Sequence, residues 1–351
     1  MRGSIGFYIT NVCNLNCENC SHLNNYAVSG HQRWKDNKDH CKKWAEKLNP
    51  LVIFIYGGEP MVNPDFLKWM HGIANIWPDA EIRINTNGTV FHLWPTLYEE
   101  LLPYRGRVTI SISGHNEHIR EQQIHWIKNF LRGEIKETSS TCKRFSTWRW
   151  KKVYTNIKDP AWPDCNSLEQ YEALSDLIKE EILSLHKVNI NDFNIYDEPV
   201  NDFEVFEDEN QIRIGWARWD TFQNAAVKFD FESQTMTLHD SDPEKAIAIC
   251  HGGDCAHIKD GKFYKCQVMS NLPELIKQNF PLALSQEDKD LIMSYQPAEP
   301  SWSDQQLIEF FEGLEKHTVI PQCKFCPETK ISQKIHATSK KIKIQKINKN
   351  L

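Results

Sequence analysis

Four times in the first 131 residues a short apolar run ends in glycine or polar residues and gives way to a segment with helical spacing. The clearest run is Leu51-Val-Ile-Phe-Ile-Tyr56, which is apolar without alternation, the pattern of a strand buried on both faces. It ends at Gly57-Gly58. Pro64 then stands where a helix can begin, with Asn63 as a candidate N-cap and Phe66, Leu67, Met70, Ile73 and Ile76 on one face. The other runs are Ser4–Thr10, Glu81–Asn85 and Arg107–Ser113, with further helices expected over 34–48, 94–102 and 116–131. Strand-then-helix units in series predict a parallel sheet with right-handed crossovers. In such α/β folds ligands gather at the C-terminal strand ends.

The first run leads straight into Cys13-Asn-Leu-Asn-Cys17-Glu-Asn-Cys20-Ser-His22. The spacing is C-x3-C-x2-C. Three thiolates this close can hold three irons of a [4Fe–4S] cube and leave the fourth iron without a protein ligand. An open iron is a place for a substrate, as the open position of a catalytic zinc is. The competing reading is a structural Cys3His zinc site with His22 as fourth ligand.

Compartment and partner class follow from the rest of the composition. Eleven cysteines is an odd number, and Met1–Thr10 has neither a long apolar region nor a small-residue cleavage site. A cytoplasmic location is expected, with thiols serving as metal ligands rather than disulfides. A net charge of −6 gives no reason to expect a nucleic-acid surface, and no run reaches the ~18 apolar residues of a membrane span. Cys41, Cys142 and Cys165 have no partner spacing and read as small buried hydrophobes.

Residues 132–200 are less regular, with an amphipathic helix expected over Ser167–His186 and a strand over Val188–Ile195. After residue 200 the texture changes to short strands and turns: Phe203–Phe206, Gln211–Trp216, Val227–Phe231 and Thr235–Leu238. His257–Tyr264 carries Asp260-Gly261 between two alternating runs, a strong hairpin signal. Domains are therefore expected at 1–200 and 201–329, the second β-rich, with a basic tail over 330–351 that holds seven lysines and no acidic residue.

The order of features resembles the radical S-adenosylmethionine (radical SAM) superfamily. A strand leads into the three cysteines, a second ends in Gly57-Gly58-Glu59-Pro60, a third in Thr86-Asn87-Gly88 and a fourth in Ser111-Ile-Ser113-Gly114. The resemblance implies a partial (β/α)6 TIM-like barrel. It implies that Cys13, Cys17 and Cys20 hold a [4Fe–4S] cluster whose open iron binds SAM. Reductive cleavage then gives a 5′-deoxyadenosyl radical that takes hydrogen from substrate. Gly57 and Gly58 would let backbone approach the SAM amino group, and Glu59 would add an acceptor. Asn87, Ser111 and Ser113 would hold ribose or carboxylate. An electron donor such as flavodoxin or ferredoxin is implied. The family usually has an aromatic residue just before the third cysteine; here it is Asn19.

Cys250, Cys266 and the pair Cys323-x2-Cys326 resemble the auxiliary-cluster module of family members with SPASM or Twitch domains. With no cysteine after Cys326, the shorter Twitch type and one auxiliary [4Fe–4S] cluster are implied. Cys250 fits the family spacing, and Cys255 falls opposite Cys266 across the expected hairpin, so both remain candidates. A zinc site using His251 or His257 is the alternative. The implied function is hydrogen abstraction from a small molecule or peptide, with net oxidation assisted by the auxiliary cluster. No peptide-recognition segment stands ahead of the first strand, which favours a small molecule, sugar or nucleotide derivative. A peptide-modifying maturase of the RiPP type and a non-catalytic zinc or iron–sulfur protein are the alternatives.

Overall fold

The computed structural model describes residues 4–15, 17, 20, 22–24, 29–114, 117–140, 203–218, 221–222, 227–230, 235–250, 256–278, 283–315, 318–329 and 333–334. The expected helix at 167–186, the strand at 188–195 and the basic tail beyond residue 334 lie outside these.

The four expected strand–helix units form. They are β1 (Ser4–Tyr8), β2 (Val52–Tyr56), β3 (Glu81–Thr86) and β4 (Val108–Gly114), with α1 (Trp34–Ala45), α2 (Phe66–Ile76), α3 (Leu97–Leu101) and α4 (Glu117–Phe130) following in turn. Asn63 does not cap α2. Asp65 is the cap residue, and Asn63 instead accepts the Asp65 N–H at 2.8 Å and donates to the carbonyls of Ile9 and Gln32. Its buried amide thus ties the start of α2 to the chain on either side of the cysteine loop.

Beyond these units come β5 (Ile135–Ser140), β6 (Phe203–Asp208), β7 (Arg213–Arg218), β8 (Thr221–Phe222), β9 (Val227–Asp230), β10 (Thr235–Leu238), β11 (His257–Lys259), β12 (Lys262–Tyr264) and β13 (Gln333–Lys334). Nine described strands make one sheet in the order β12-β11-β1-β2-β3-β4-β7-β6-β5. From β11 to β7 the six neighbours run parallel, and antiparallel strands border them on both sides. The fold is mixed α/β around this large sheet. The strands at 203–218 and the hairpin at 257–264, which the sequence places in a separate β-rich unit, complete the sheet at its two ends. Their alternation describes which face is buried and not which edge they join.

Register gives the sheet two different faces. One cross-strand row is Ile258, Phe7, Ile55, Ile84, Ile110, Ile214 and Phe206, every member buried. This row is part of the main hydrophobic core, together with Trp44, Phe66, Trp69, Met70 and Leu97 from the helices. The next row, Gly6, Phe54, Arg83, Thr109, Arg213 and Glu207, is mixed and polar. Arg213 in that row pairs with Glu207, and Trp216 belongs to the buried side. Among the described residues no helix is long and apolar enough to cross a membrane.

The β6–β7 turn depends on one carboxylate. Asp208 accepts from the N–H groups of Asn210 and Ile212 with one oxygen, and from the Tyr98 hydroxyl and the Arg132 N–H with the other. Burial pushes its pKa up, but these four donors outweigh burial and hold it below the ordinary value. A depressed carboxylate adds stability above its unfolded pKa and loses it as pH falls through the folded value. Asp208→Ala is expected to lower the unfolding free energy by about 3 kcal/mol at pH 7, since it strands buried donors. It should also reduce the acid sensitivity seen below about pH 4, both read from urea unfolding curves.

Candidate functional site

The cysteine loop is pinned where it leaves β1. Asn11 donates its N–H to Gly30 at 2.9 Å, Gln32 donates to Ile9 at 2.9 Å, and Thr10 bridges to His31. The chain between is thus a closed loop whose ends meet. The chain after β1 then continues along the end of β2. Gly58 N–H donates to Thr10 at 2.8 Å and Glu59 N–H to Val12 at 2.9 Å.

This contact explains the two glycines. A Cβ at Gly57 would lie 2.4 Å from the Thr10 carbonyl oxygen, and one at Gly58 would lie 2.3 Å from that of Val12. No side chain fits between these backbones. His22 also approaches, its Nδ1 on the Gly57 carbonyl and its ring against Tyr8 and Tyr56. The Gly57–Gly58 turn therefore touches the cysteine loop on both sides, at Thr10 and Val12 before Cys13 and at His22 after Cys20.

Glu59 is fully buried and faces its own chain. Its Oε1 accepts from the Met61 N–H at 3.0 Å and the Thr86 hydroxyl at 2.7 Å, and its Oε2 from the Asn87 N–H at 2.7 Å. The side chain ties the end of β2 to the end of β3. Burial raises its pKa to about 7 in spite of the three donors. Asn87, held in this way, turns its amide toward the cysteines: Nδ2 donates to Asn14 at 2.9 Å and lies 3.9 Å from Cys13 Sγ. Gln123 of α4 donates to the Asn87 carbonyl at 2.8 Å and so fixes the turn from behind.

Cys20 lies close enough to raise the pKa of Cys13 and of Cys17, but burial is the larger effect on both, lifting Cys13 to about 12 and Cys17 further. Among the described residues no three Cys, His, Asp or Glu side chains are placed to hold a single metal ion, whereas three nearby thiols beside an amide donor suit a cube of irons, which spreads its ligands farther apart. Ser111 and Ser113 stand half-buried on the polar face of β4, with Ser111 opposite Asn85 on one side and Gly215 on the other. Asn19 lies outside the described residues. Asn14, Asn24 and Thr89 were missed by sequence reasoning. Asn24 accepts from the Tyr8 hydroxyl and donates to the Asn11 carbonyl. The abundance of asparagine around the cysteines was the available signal, because short amides readily satisfy irregular backbone.

A second thiol group forms well away in sequence. Cys250 follows the helix Pro243–Ala248, Cys266 is the N-cap residue of the helix Gln267–Lys277, and Cys323 and Cys326 flank the end of the turn Pro321–Phe325. All four line one pocket, with Ala246, Ile247, Met269 and Ile320 supplying apolar wall. Burial pushes Cys266 to about 12, and Cys250 and Cys323 add to it. Four thiols around an apolar pocket fit a metal group in the same sense. Cys255 and His251 lie outside the described residues. His257 is in β11 with Nε2 on the Ser270 hydroxyl, and it is not among the residues lining the pocket.

Residues 7–148 match the model of the Radical SAM superfamily. This stretch, under half of the chain, is similar to a radical SAM domain. Members of that superfamily are enzymes that use SAM and a [4Fe–4S] cluster. An AdoMet-dependent heme synthase of Methanosarcina barkeri (strain Fusaro / DSM 804) is 30% identical over 115 residues. That match covers 32% of this chain and 31% of the relative, so the chain spans under a third of the relative's length. Among solved structures, Streptococcus suis SuiB bound to S-adenosylmethionine is 18% identical with a TM-score of 0.29, over 36% of this chain and 31% of that one. BtrN in complex with AdoMet and 2-DOIA is 17% identical with a TM-score of 0.27, over 33% and 46% of the two chains.

Glu59 gives the site a test of its own. A protonated carboxyl keeps all three donors, whereas a glutamine amide must turn an N–H toward the Asn87 N–H or toward the other two donors. Glu59→Gln is expected to lower the unfolding free energy by about 1–3 kcal/mol at pH 5. A raised carboxyl pKa makes the folded state lose stability as pH rises from the unfolded value of 4.5 through about 7. Glutamine escapes that loss, so the gap between variant and wild type should shrink at pH 8 in parallel urea titrations.

Proposed function

We propose that this chain is a radical SAM enzyme that abstracts hydrogen from its substrate and carries a second iron–sulfur cluster. One observation carries the reading: the loop of Cys13, Cys17 and Cys20 is packed on the Gly57–Gly58 strand end, with the Asn87 amide facing Cys13. Cys13, Cys17 and Cys20 would hold a [4Fe–4S] cluster and leave one iron for SAM. The cluster, when bound, supplies the electron that cleaves SAM.

The chain's own residues would do the rest. The space beside Gly57 and Gly58 is filled by the Thr10 and Val12 carbonyls, so the pair would meet the SAM amino group only through backbone carbonyl oxygens at this strand end. Glu59 shapes this region through Thr86 and Asn87 rather than by direct contact. Asn87, Ser111 and Ser113 would hold ribose or carboxylate oxygens. The polar face of the sheet, taken as the inner wall of a partial (β/α)6 barrel, would receive the substrate. Cys250, Cys266, Cys323 and Cys326 would hold an auxiliary [4Fe–4S] cluster in a Twitch-like unit, with Cys255 a competing ligand. Net oxidation of a small molecule, with flavodoxin or ferredoxin as electron donor in the cytoplasm, is the reaction we favour. The AdoMet-dependent relative supports SAM use. Its match covers too little of either chain to bring its substrate across.

Anaerobic reconstitution with ferrous iron and sulfide is expected to give about eight irons per chain, four for each cubane. Cys13→Ala, Cys17→Ala and Cys20→Ala together should reduce this to about four and abolish 5′-deoxyadenosine formation with SAM and dithionite. A colourless protein that takes up zinc at both thiol groups would overturn the reading, since four thiols also suit zinc.

A further inference from the structure

Leu23 does not belong to the core of the sheet that its loop adjoins. It is 1% exposed and sits in a second hydrophobic cluster with Met269, Leu272, Leu275, Ile292 and Phe325. Its φ is +60°, a left-handed conformation that a leucine adopts only where the surroundings impose it. Its N–H donates to the Cys20 carbonyl at 2.9 Å. Leu23 is therefore joined at one end to a cysteine of the first set and at the other to a core made by distant residues.

Those distant residues adjoin the second thiol group, with Cys266 and Ile320 packed against them. Met269 lines the four-cysteine pocket, and Phe325 stands between Cys323 and Cys326. The helix Gln267–Lys277, whose N-cap residue is Cys266, reaches the loop again through a polar contact. Asn271, 1% exposed, donates its amide N–H to the His22 carbonyl at 3.0 Å. The other end of that amide accepts from the buried Lys259 ammonium at 2.8 Å, which also donates to the Ser270 carbonyl at 3.1 Å. The amide can therefore neither flip nor swing without breaking a bond to a buried charge.

We propose that the pocket of Cys250, Cys266, Cys323 and Cys326 is a positioning site for the first cysteine loop. A metal group held there fixes the start of the helix Gln267–Lys277 and the place of Phe325. These in turn hold Leu23 and His22, and with them the backbone at Cys20. The inference rests on the reading of both thiol groups given above. It adds that the second site sets the SAM affinity of the first, with Leu23 and Asn271 as positioning residues.

A binding cycle on the reconstituted full chain tests this, with SAM affinity read by equilibrium dialysis. Cys323→Ser with Cys326→Ser should weaken SAM binding about tenfold while the first cluster remains loaded, an ordinary size for coupling between sites. Leu23→Ala should weaken it by a similar factor with the second site still loaded. Combining the three substitutions should weaken it no further, because one path has been cut twice. Linkage also requires SAM to raise the iron affinity of the second site, read as equilibrium occupancy against a competing chelator, in the wild type and not in Leu23→Ala. Asn271→Ala leaves the apolar cluster intact and takes the place of Leu23→Ala if that variant does not fold; it should weaken SAM binding in the same direction. Wild-type affinity in the Cys323/Cys326 variant, or factors that multiply in the combination, would overturn the coupling alone. A wild-type protein with its first cluster loaded and no affinity for SAM would overturn the enzyme reading, and the coupling with it.

Discussion

The site depends on a close approach of two backbones. The carbonyl oxygens of Thr10 and Val12 occupy the space that side chains at positions 57 and 58 would need. The contact is made by β1 running past the sheet and continuing along the end of β2. Three described groups are referred to this junction: the His22 ring, the Glu59 carboxylate that links β2 to β3, and the Asn87 amide beside Cys13. A glycine pair at the end of a buried strand is often only a turn. Here it lets an irregular loop with several buried polar groups settle on a regular sheet while keeping those groups hydrogen-bonded.

The division of the sheet into two faces would serve the proposed chemistry. One row across seven strands is apolar and covered by helices, which leaves the alternate row for polar side chains. Reactive chemistry needs a wall that does not move and groups that can be varied. The row of Ile55, Ile84, Ile110 and Ile214 supplies the first, and Asn85, Ser111 and Ser113 lie on the opposite side.

Much of this was legible from sequence because it is local. The apolar runs gave the four parallel strands, and Asp260-Gly261 gave the hairpin. What sequence could not supply was pairing at a distance. The runs at 203–218 read as strands, yet nothing in them says that β7 lies beside β4. Glu59 read as an acceptor for a ligand because its three donors come from Met61, Thr86 and Asn87, which meet only when β2 and β3 are side by side. Leu23 gave no signal at all, since a lone leucine in a polar loop looks the same whether its core is near or far in the chain.

The pairing of β11 with β1 has a consequence for how such a molecule is made. Gly6 leaves synthesis early, and its partner His257 is among the later residues to emerge. Until then β1 is an open strand edge, and the loop that follows it lacks the helix that holds Leu23 and His22. Contacts of this sequence separation close slowly, and an unpaired edge invites wrong partners in the meantime. Nascent chains of this protein would thus hold their thiols in an unfinished loop for most of translation. A group that needs the finished loop would find it only once the last strand of the parallel set has docked.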